Sequence, residues 1–180
     1  MDATKCQPEY SRMTLVGAVH LFLISDQGAI LLIRRMNTGY YDGWYSVPAG
    51  HIDPGEPATS AIIREAHEEV GIQIELDALK IVHVMHRRSV QTDCANSERV
   101  DLFFTTAHWC DEATNCEPGK CDELLWNPKQ TLPTNTIPYV RHAYECYKEG
   151  IPYSEMGWTG LCPTCGSGDV LVGVEGGTDG

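Results

Sequence analysis

The sequence predicts an α/β protein in which a mixed β-sheet is flanked by helices. Segments rich in β-branched and aromatic residues outnumber helical segments along the chain. The two amphipathic helical segments are far apart, one ending before residue 71 and one before residue 150. Strands that alternate with separated helices are typical of a sheet covered by helices. The 180 residues are enough for one domain with a sizeable core.

Two apolar segments near the N-terminus predict a β-hairpin. Residues 14–24 and 29–34 are rich in apolar and β-branched side chains, and residues 26–28 between them have the composition of a turn. A loop rich in glycine and tyrosine follows at 36–45, and residues 47–50 lead into a second turn.

The next segment has the periodicity of an amphipathic helix. The helix is predicted over residues 57–70, and Gly71 ends it. Its apolar stripe, which recurs every four residues, consists of Ala58, Ile62, Ala66 and Val70. Glu69 lies at the border of this stripe, where a carboxylate is costly unless another group compensates it.

The second half of the chain adds strands, one helix and a tail. Strands are predicted where β-branched and aromatic residues cluster, at residues 72–76, 80–86, 98–108 and 121–126. A last helix opens at Thr136 or Ile137 and stops at Gly150. The periodic pattern fades after residue 152. We therefore predict one domain over 1–152 and a mobile, glycine-rich tail over 153–180.

Composition limits the possible partners. The formal net charge is −12, with 42% hydrophobic and 21% charged residues. Binding to a nucleic-acid polymer or to an acidic membrane surface would need a basic footprint. The N-terminal residues lack the apolar core of a signal peptide, and the apolar segment 15–24 is too short to span a bilayer. The sequence predicts a cytoplasmic protein that acts on a small molecule, and it leaves the oligomeric state open.

The eight cysteines leave the question of a zinc site open. In a cytoplasmic protein most of them are expected to be reduced thiols. Cys162 and Cys165 have C-x-x-C spacing, but a tetrahedral zinc site needs four ligands and no second C-x-x-C pair exists.

Three carboxylates of the first helix share one face. A helix advances about 100° per residue, so Glu65, Glu68 and Glu69 are neighbours at the i, i+3, i+4 spacing. Their charges repel one another, and a hard divalent cation removes that cost. Mg²⁺ usually binds through one or two carboxylates together with substrate phosphates. The cluster therefore predicts a metal site, with a solvated acidic helix face as the alternative.

The residues around this cluster favour the metal site. From Gly50 to Gly71 the chain reads G-x5-E-x7-R-E-x-x-E-E-x-G, and a chance match is of order 10⁻⁹ per starting position. At these residues the chain resembles the Nudix hydrolase signature, except that Ala66 stands where the family usually has a bulkier aliphatic residue. Over about residues 13–150 the resemblance implies an α/β/α sandwich. It also implies a pyrophosphohydrolase that uses Mg²⁺ or Mn²⁺.

The motif supplies the candidate catalytic and metal-binding residues. The predicted catalytic ligands on the helix face are Glu65, Glu68 and Glu69. Glu56 either joins them or orients them, and the planar fork of Arg64 can hold two carboxylates in one arrangement. The resemblance implies that the backbone carbonyl of Ala49 also binds the metal. Many family members add one acid from a late loop, for which the candidates here are Glu117, Asp122 and Glu123.

Three residues before the motif are candidates for substrate binding. The resemblance implies that Arg35 meets the substrate phosphate, whereas a solvated edge arginine is the alternative. Arg34 should face the opposite side of its strand. Tyr41 and Trp44 lie in the loop before the motif and could stack a base, at about 1–3 kcal/mol per stack.

The substrate class follows only by exclusion. Arg87 and Arg88 stand near the place where members acting on ADP-ribose carry a proline. What remains resembles the MutT-like group, which hydrolyses nucleoside triphosphates. One alternative is a Nudix domain that binds a nucleotide without cleaving it, although such domains typically lose carboxylates. The other is an isopentenyl-diphosphate isomerase, which needs a reactive cysteine, and no cysteine is obvious near the motif.

Overall fold

The computed structural model describes residues 14–88, 98–128 and 131–158 and contains two sheets and two α-helices. In chain order the elements are β1 (Val16–Phe22), β2 (Ile30–Arg35), β3 (Tyr45–Ser46), β4 (Ala49–His51), α1 (Ala58–Val70), a 3₁₀ turn (Leu76–Ala78), β5 (Leu79–Arg88), β6 (Glu98–Thr106), β7 (Cys121–Asn127), α2 (Pro138–Glu149) and β8 (Tyr153–Met156). None of the described helices is long and apolar enough to cross a membrane.

The larger sheet is mixed, as the sequence predicted. Its five strands follow the order β4-β1-β6-β5-β8, with β1 parallel to β6 and β5 parallel to β8. The smaller sheet is antiparallel and has the order β3-β2-β7.

Alternate residues of β1 and β2 pack into two different cores. Val19 of β1 and Leu31 of β2 belong to one cluster, which includes the apolar stripe of α1. Phe22 and Leu32 belong to the second cluster, which includes the apolar face of α2. Successive side chains of a strand point to opposite faces, so the helices cover opposite sides of the sheets. The α/β/α sandwich is therefore confirmed.

The predicted β-hairpin of the first two strands is wrong. The chain does make a tight turn after β1, in which Ile24 forms an isolated bridge with Ile30. Beyond that bridge, β1 lies in the larger sheet and β2 in the smaller one. Both edges of β1 are occupied by β4 and β6, so β2 finds its partners elsewhere.

Two further local predictions need correction. Residues 72–76 do not form the predicted strand. Gln73 makes an isolated antiparallel β-bridge with Cys110, and a 3₁₀ turn starts at Leu76. The β-branched residues that suggested a strand, Ile72 and Ile74, are instead buried in the α1 core. Residues 47–50 were predicted to lead into a turn, whereas residues 49–51 form the short strand β4.

The predicted tail begins too early. Residues 153–156 form β8, which pairs in parallel with β5 in the register Val84 to Tyr153 through Arg87 to Met156. The strand is too short to show a clear period in the sequence. The rest of the predicted tail from residue 159, with Cys162 and Cys165, lies outside the described residues.

Candidate active site

A cavity of about 460 Å³ opens beside α1 and collects side chains from both sheets. The predicted site residues that line it are Arg35, Ala49, Arg64, Glu65, Glu68 and Glu69. They come from β2, β4 and α1, so the fold brings together residues that are up to 34 positions apart in the chain.

Helix α1 aims the carboxylates because its opposite face is buried. It begins after Pro57, whose backbone is extended, and ends at Gly71, which has a φ of 73°. Its buried residues are Ala61, Ile62, Ala66 and Val70, close to the predicted stripe. With this face packed in the core, Glu65 and Glu69 turn toward the cavity, and Glu68 stands at its mouth with 52% of its side chain exposed.

Arg64 organises the acidic residues. Its Nε and Nη2 donate to the two carboxylate oxygens of Glu56, both at 3.0 Å. Its Nη1 donates to Glu65 at 2.7 Å and to Glu68 at 3.2 Å. These bonds raise the pKa of Arg64, and the bond from Arg64 holds the pKa of Glu56 below its ordinary value. The guanidinium thus links Glu56, in the turn before α1, to Glu65 and Glu68 on the helix.

Glu69 is the most enclosed acid of the cluster. Burial raises its pKa to about 8, the backbone N–H of Ala49 opposes this by donating at 2.9 Å, and the charges of Glu65 and Glu117 add to it. A buried carboxylate of this kind becomes easier to ionise when a cation lies beside it.

Gly50 provides the space that Glu65 needs. A Cβ atom at Gly50 would overlap the carboxylate of Glu65. The glycine of the motif is therefore required by a close approach of strand β4 to helix α1.

The donor set around the cavity suits a hard cation. Carboxylate oxygens and the peptide of Ala49 are the oxygen donors that Mg²⁺ and Mn²⁺ prefer. In the part of the chain that the structure describes, no three of these side chains already form a metal centre. Glu65 and Glu68 bond to Arg64 instead, as does Glu56, which is not among the lining residues.

The candidate substrate-binding residues divide into two groups. Arg35 lines the cavity, and its Nε donates to the carbonyl of Tyr40 at 2.8 Å. Tyr41 and Trp44 are not among the lining residues, since their rings contact each other at 5.5 Å and pack against the α2 core. Tyr40 occupies the cavity wall in their place.

Only one of the three late-loop acids reaches the cavity. Glu117 lines it and accepts a bond of 2.7 Å from Lys120. Asp122 and Glu123 lie on β7, where both pair with Arg34 on the other side of β2. The opposite directions predicted for Arg34 and Arg35 are thus observed.

Sequence reasoning missed several residues of the cavity wall. They come from five different elements and are His20, Arg87, Arg99, Cys121 and Tyr139. Charged residues within predicted strands were the available signal for two of them. Arg87 and Arg99 are such residues, and they pair across β5 and β6 next to the buried Asp101. Cys121 was overlooked because it is 50 residues beyond Gly71, although β7 carries it to the wall of the cavity.

The sandwich, with a carboxylate-bearing helix and an arginine on one cavity, has the architecture of a Nudix protein. The NUDIX domain family matches residues 14–148. The chain therefore belongs to this family, and it is a MutT-like Nudix hydrolase. The fold agrees, because a MutT NUDIX hydrolase from Burkholderia pseudomallei superposes with a TM-score of 0.65 and 25% identity, covering 74% of this chain and 98% of that one.

Curated relatives with different activities resemble this chain at low identity. An RNA pyrophosphohydrolase of Rhizobium meliloti is 28% identical over 145 residues, covering 71% of this chain and 87% of that protein. An isopentenyl-diphosphate Delta-isomerase of Mycolicibacterium vanbaalenii is 28% identical over 136 residues, covering 73% and 72%. The 8-oxo-dGDP phosphatase of Homo sapiens is 33% identical over 72 residues, which are 40% of this chain and 22% of that protein.

Proposed function

We propose that this protein hydrolyses a phosphoanhydride bond of a nucleoside di- or triphosphate derivative with Mg²⁺ or Mn²⁺, a nucleoside triphosphate being the first choice. The observation that carries the proposal is the meeting of Glu65, Glu69 and Arg35 on one cavity. Pyrophosphate hydrolysis needs charge neutralisation, an activated water and its alignment.

Each residue has a part in this proposal. Glu65, Glu68 and Glu69, with the carbonyl of Ala49, would hold the cation. A cation held there would neutralise phosphoryl oxygens and lower the pKa of a bound water. Arg64 keeps Glu56 and Glu65 in one arrangement through bonds of 2.7–3.0 Å. Arg35, which lines the same cavity, would bind a phosphoryl oxygen with its planar fork.

A substrate panel tests the proposal. The purified chain is incubated with Mg²⁺ and nucleoside triphosphates, ADP-ribose or a 5′-triphosphorylated RNA, and released phosphate and pyrophosphate are measured. We expect turnover of a free triphosphate that EDTA abolishes. Faster turnover of the RNA would move the assignment to an RNA pyrophosphohydrolase. Nucleotide binding by calorimetry without turnover would contradict the proposal and favour a regulatory Nudix domain.

The first prediction concerns Glu69→Gln. This change keeps the shape of the side chain and removes the charge that a cation needs, so we expect kcat to fall on the order of 10²–10⁴-fold. Glu145→Gln, an exposed position on α2, is the matched control and should retain wild-type turnover. Wild-type kcat in Glu69→Gln would remove this residue from the metal site.

A second candidate activity, isomerisation of isopentenyl diphosphate, is favoured by Cys121. Its thiol lies on the wall of the cavity that also holds Glu65 and Glu117. Burial raises the pKa of Cys121, so the thiol stays protonated and donates to the carbonyl of Glu123 at 3.3 Å. Incubation with isopentenyl diphosphate and Mg²⁺ tests it. Product that forms in the wild type and is lost in Cys121→Ser would support it, and no product would exclude it.

A further inference from the structure

The cavity has two walls of opposite charge. The acidic wall consists of Glu65, Glu68, Glu69 and Glu117. The basic wall consists of Arg35 on β2, Arg87 on β5 and Arg99 on β6. The proposed hydrolysis occupies the acidic wall and Arg35, and it leaves Arg87 and Arg99 without a role.

Arg87 and Arg99 share one buried carboxylate. The Nε of Arg87 lies 2.6 Å from Asp101, and the Nε of Arg99 lies 3.4 Å from it. Asp101 has no exposed surface, and Arg87 is 5% exposed with its guanidinium carbon 3.9 Å from the centre of the Tyr139 ring. Two guanidinium groups therefore share one carboxylate, and the Nη2 of Arg99 also lies 3.3 Å from the Nε2 of His51.

Arg35 adds a third guanidinium group to this wall. Among the described residues it makes no ion pair within 4 Å, and its bond to the Tyr40 carbonyl is a bond to a neutral group. A cation bound at the acidic wall would neutralise the carboxylates there, and the three arginines of the basic wall would then suit a phosphate anion.

A buried histidine lies beside these arginines on the cavity wall. His20 is 3% exposed, and its Nε2 lies 3.4 Å from Asp101 Oδ1, the same oxygen that the Nε of Arg99 faces at 3.4 Å. Its Nδ1 makes no hydrogen bond among the described residues. Buried polar groups normally find partners, and a bound ligand can supply one here.

We propose that the basic wall binds the terminal phosphoryl group of the substrate, so that the enzyme selects triphosphates over diphosphates of the same nucleoside. The proposal rests on the proposed function, because the acidic wall must hold the scissile anhydride. Arginine guanidinium groups match phosphate oxygens through paired hydrogen bonds. A chain of three phosphoryl groups can contact both walls, whereas two groups held at the acidic wall leave Arg99 unused.

Arg99→Gln tests the proposal with two readouts. In steady-state kinetics with Mg²⁺, we expect the KM for a nucleoside triphosphate to rise about 10- to 100-fold, the effect of one charge-assisted hydrogen bond. The KM for the diphosphate should rise less than about threefold, and kcat should change little for both. The matched control is Arg34→Gln, which removes the same charge outside the cavity. Arg99→Lys keeps the charge but not the planar fork of the guanidinium, so its KM for the triphosphate should lie between those of the wild type and Arg99→Gln.

Calorimetry without metal separates this proposal from the proposed function. Inorganic tripolyphosphate in EDTA is the probe, and Arg99→Gln should weaken its binding while Arg34→Gln should not. Suppose that the wild type hydrolyses neither nucleotide but binds tripolyphosphate, and that Arg99→Gln weakens this binding. The proposed function then fails and the anion site stands. An equal rise of the KM for the triphosphate and the diphosphate in Arg99→Gln would overturn the inference. Equal weakening of tripolyphosphate binding in Arg99→Gln and Arg34→Gln would also overturn it.

Discussion

At the scale of single residues, Gly50 is the most demanding position of the site. The approach of β4 to α1 leaves no room for a side chain between the backbone and the Glu65 carboxylate. Gly50→Ala should therefore displace Glu65 and lower kcat by about 10²-fold, as expected when a site group moves by roughly 1 Å. The measurement is kcat with Mg²⁺, together with a melting curve.

A second glycine provides the control. A Cβ atom at Gly119 would meet no heavy atom within 4 Å, so Gly119→Ala should keep both kcat and melting temperature. The same kcat in Gly50→Ala and wild type would show that Glu65 is not held against β4 during turnover.

At the scale of elements, β8 completes the larger sheet. Ser154 is buried, and its Oγ lies 2.9 Å from the Nε2 of His83 on β5. Ending the chain after Pro152 removes this partner and exposes the edge of β5. An unpaired buried group costs about 1–3 kcal/mol, so we expect a lower melting temperature and a lower free energy of unfolding.

Two variants isolate the contribution of β8. Ending the chain after Trp158 keeps the strand and should melt higher than the chain that ends after Pro152. Ser154→Ala should cause part of the loss, because it removes one hydrogen bond and leaves the strand in place. Equal melting temperatures for both truncations would mean that β8 adds nothing to the stability of the sheet.

At the scale of the whole molecule, buried histidines connect stability to pH. Burial lowers the pKa of His83, and the carbonyl of Ile151, 2.8 Å from Nδ1, opposes this effect only in part. Between the lowered folded pKa and the ordinary value near 6.5, the unfolded chain binds a proton that the folded protein does not. The stability that His83 contributes is therefore complete above about pH 6.5 and falls as the pH decreases. His20 acts in the same direction, since burial lowers its pKa as well.

Urea unfolding at pH 7.5, 6.5 and 5.5 checks this prediction. Glu69 acts in the opposite direction over this range, because burial raises its pKa to about 8, so the contribution of His83 is measured as the difference in free energy of unfolding between wild type and His83→Gln. We expect this difference to decrease as the pH falls, by at most about 1.4 kcal/mol per pH unit. His67→Gln, which alters an exposed ring, is the matched control. A difference that is equal or greater at pH 5.5 would contradict the assignment.

Much of the site was predictable because its signal is local. Helix α1, its end at Gly71 and the common face of Glu65, Glu68 and Glu69 follow from spacing along one helix. Arg34 and Arg35 were separated correctly by the alternation of a strand. The strands β5, β6 and β7 were also found, to within about two residues at most ends, because each is long enough to show its composition.

The sequence by itself therefore determined the fold class, the family signature and the carboxylate helix. The tertiary structure alone decided that β1 and β2 enter different sheets, that β8 joins β5, and that Cys121 reaches the cavity. It also decided that Arg87, Arg99 and Asp101 form one charged cluster. The physical reason is the separation along the sequence of the residues that decide each feature. The face of a helix depends on neighbours three or four positions away. Strand partners and buried charge pairs, in contrast, depend on which distant segments meet when the core excludes water.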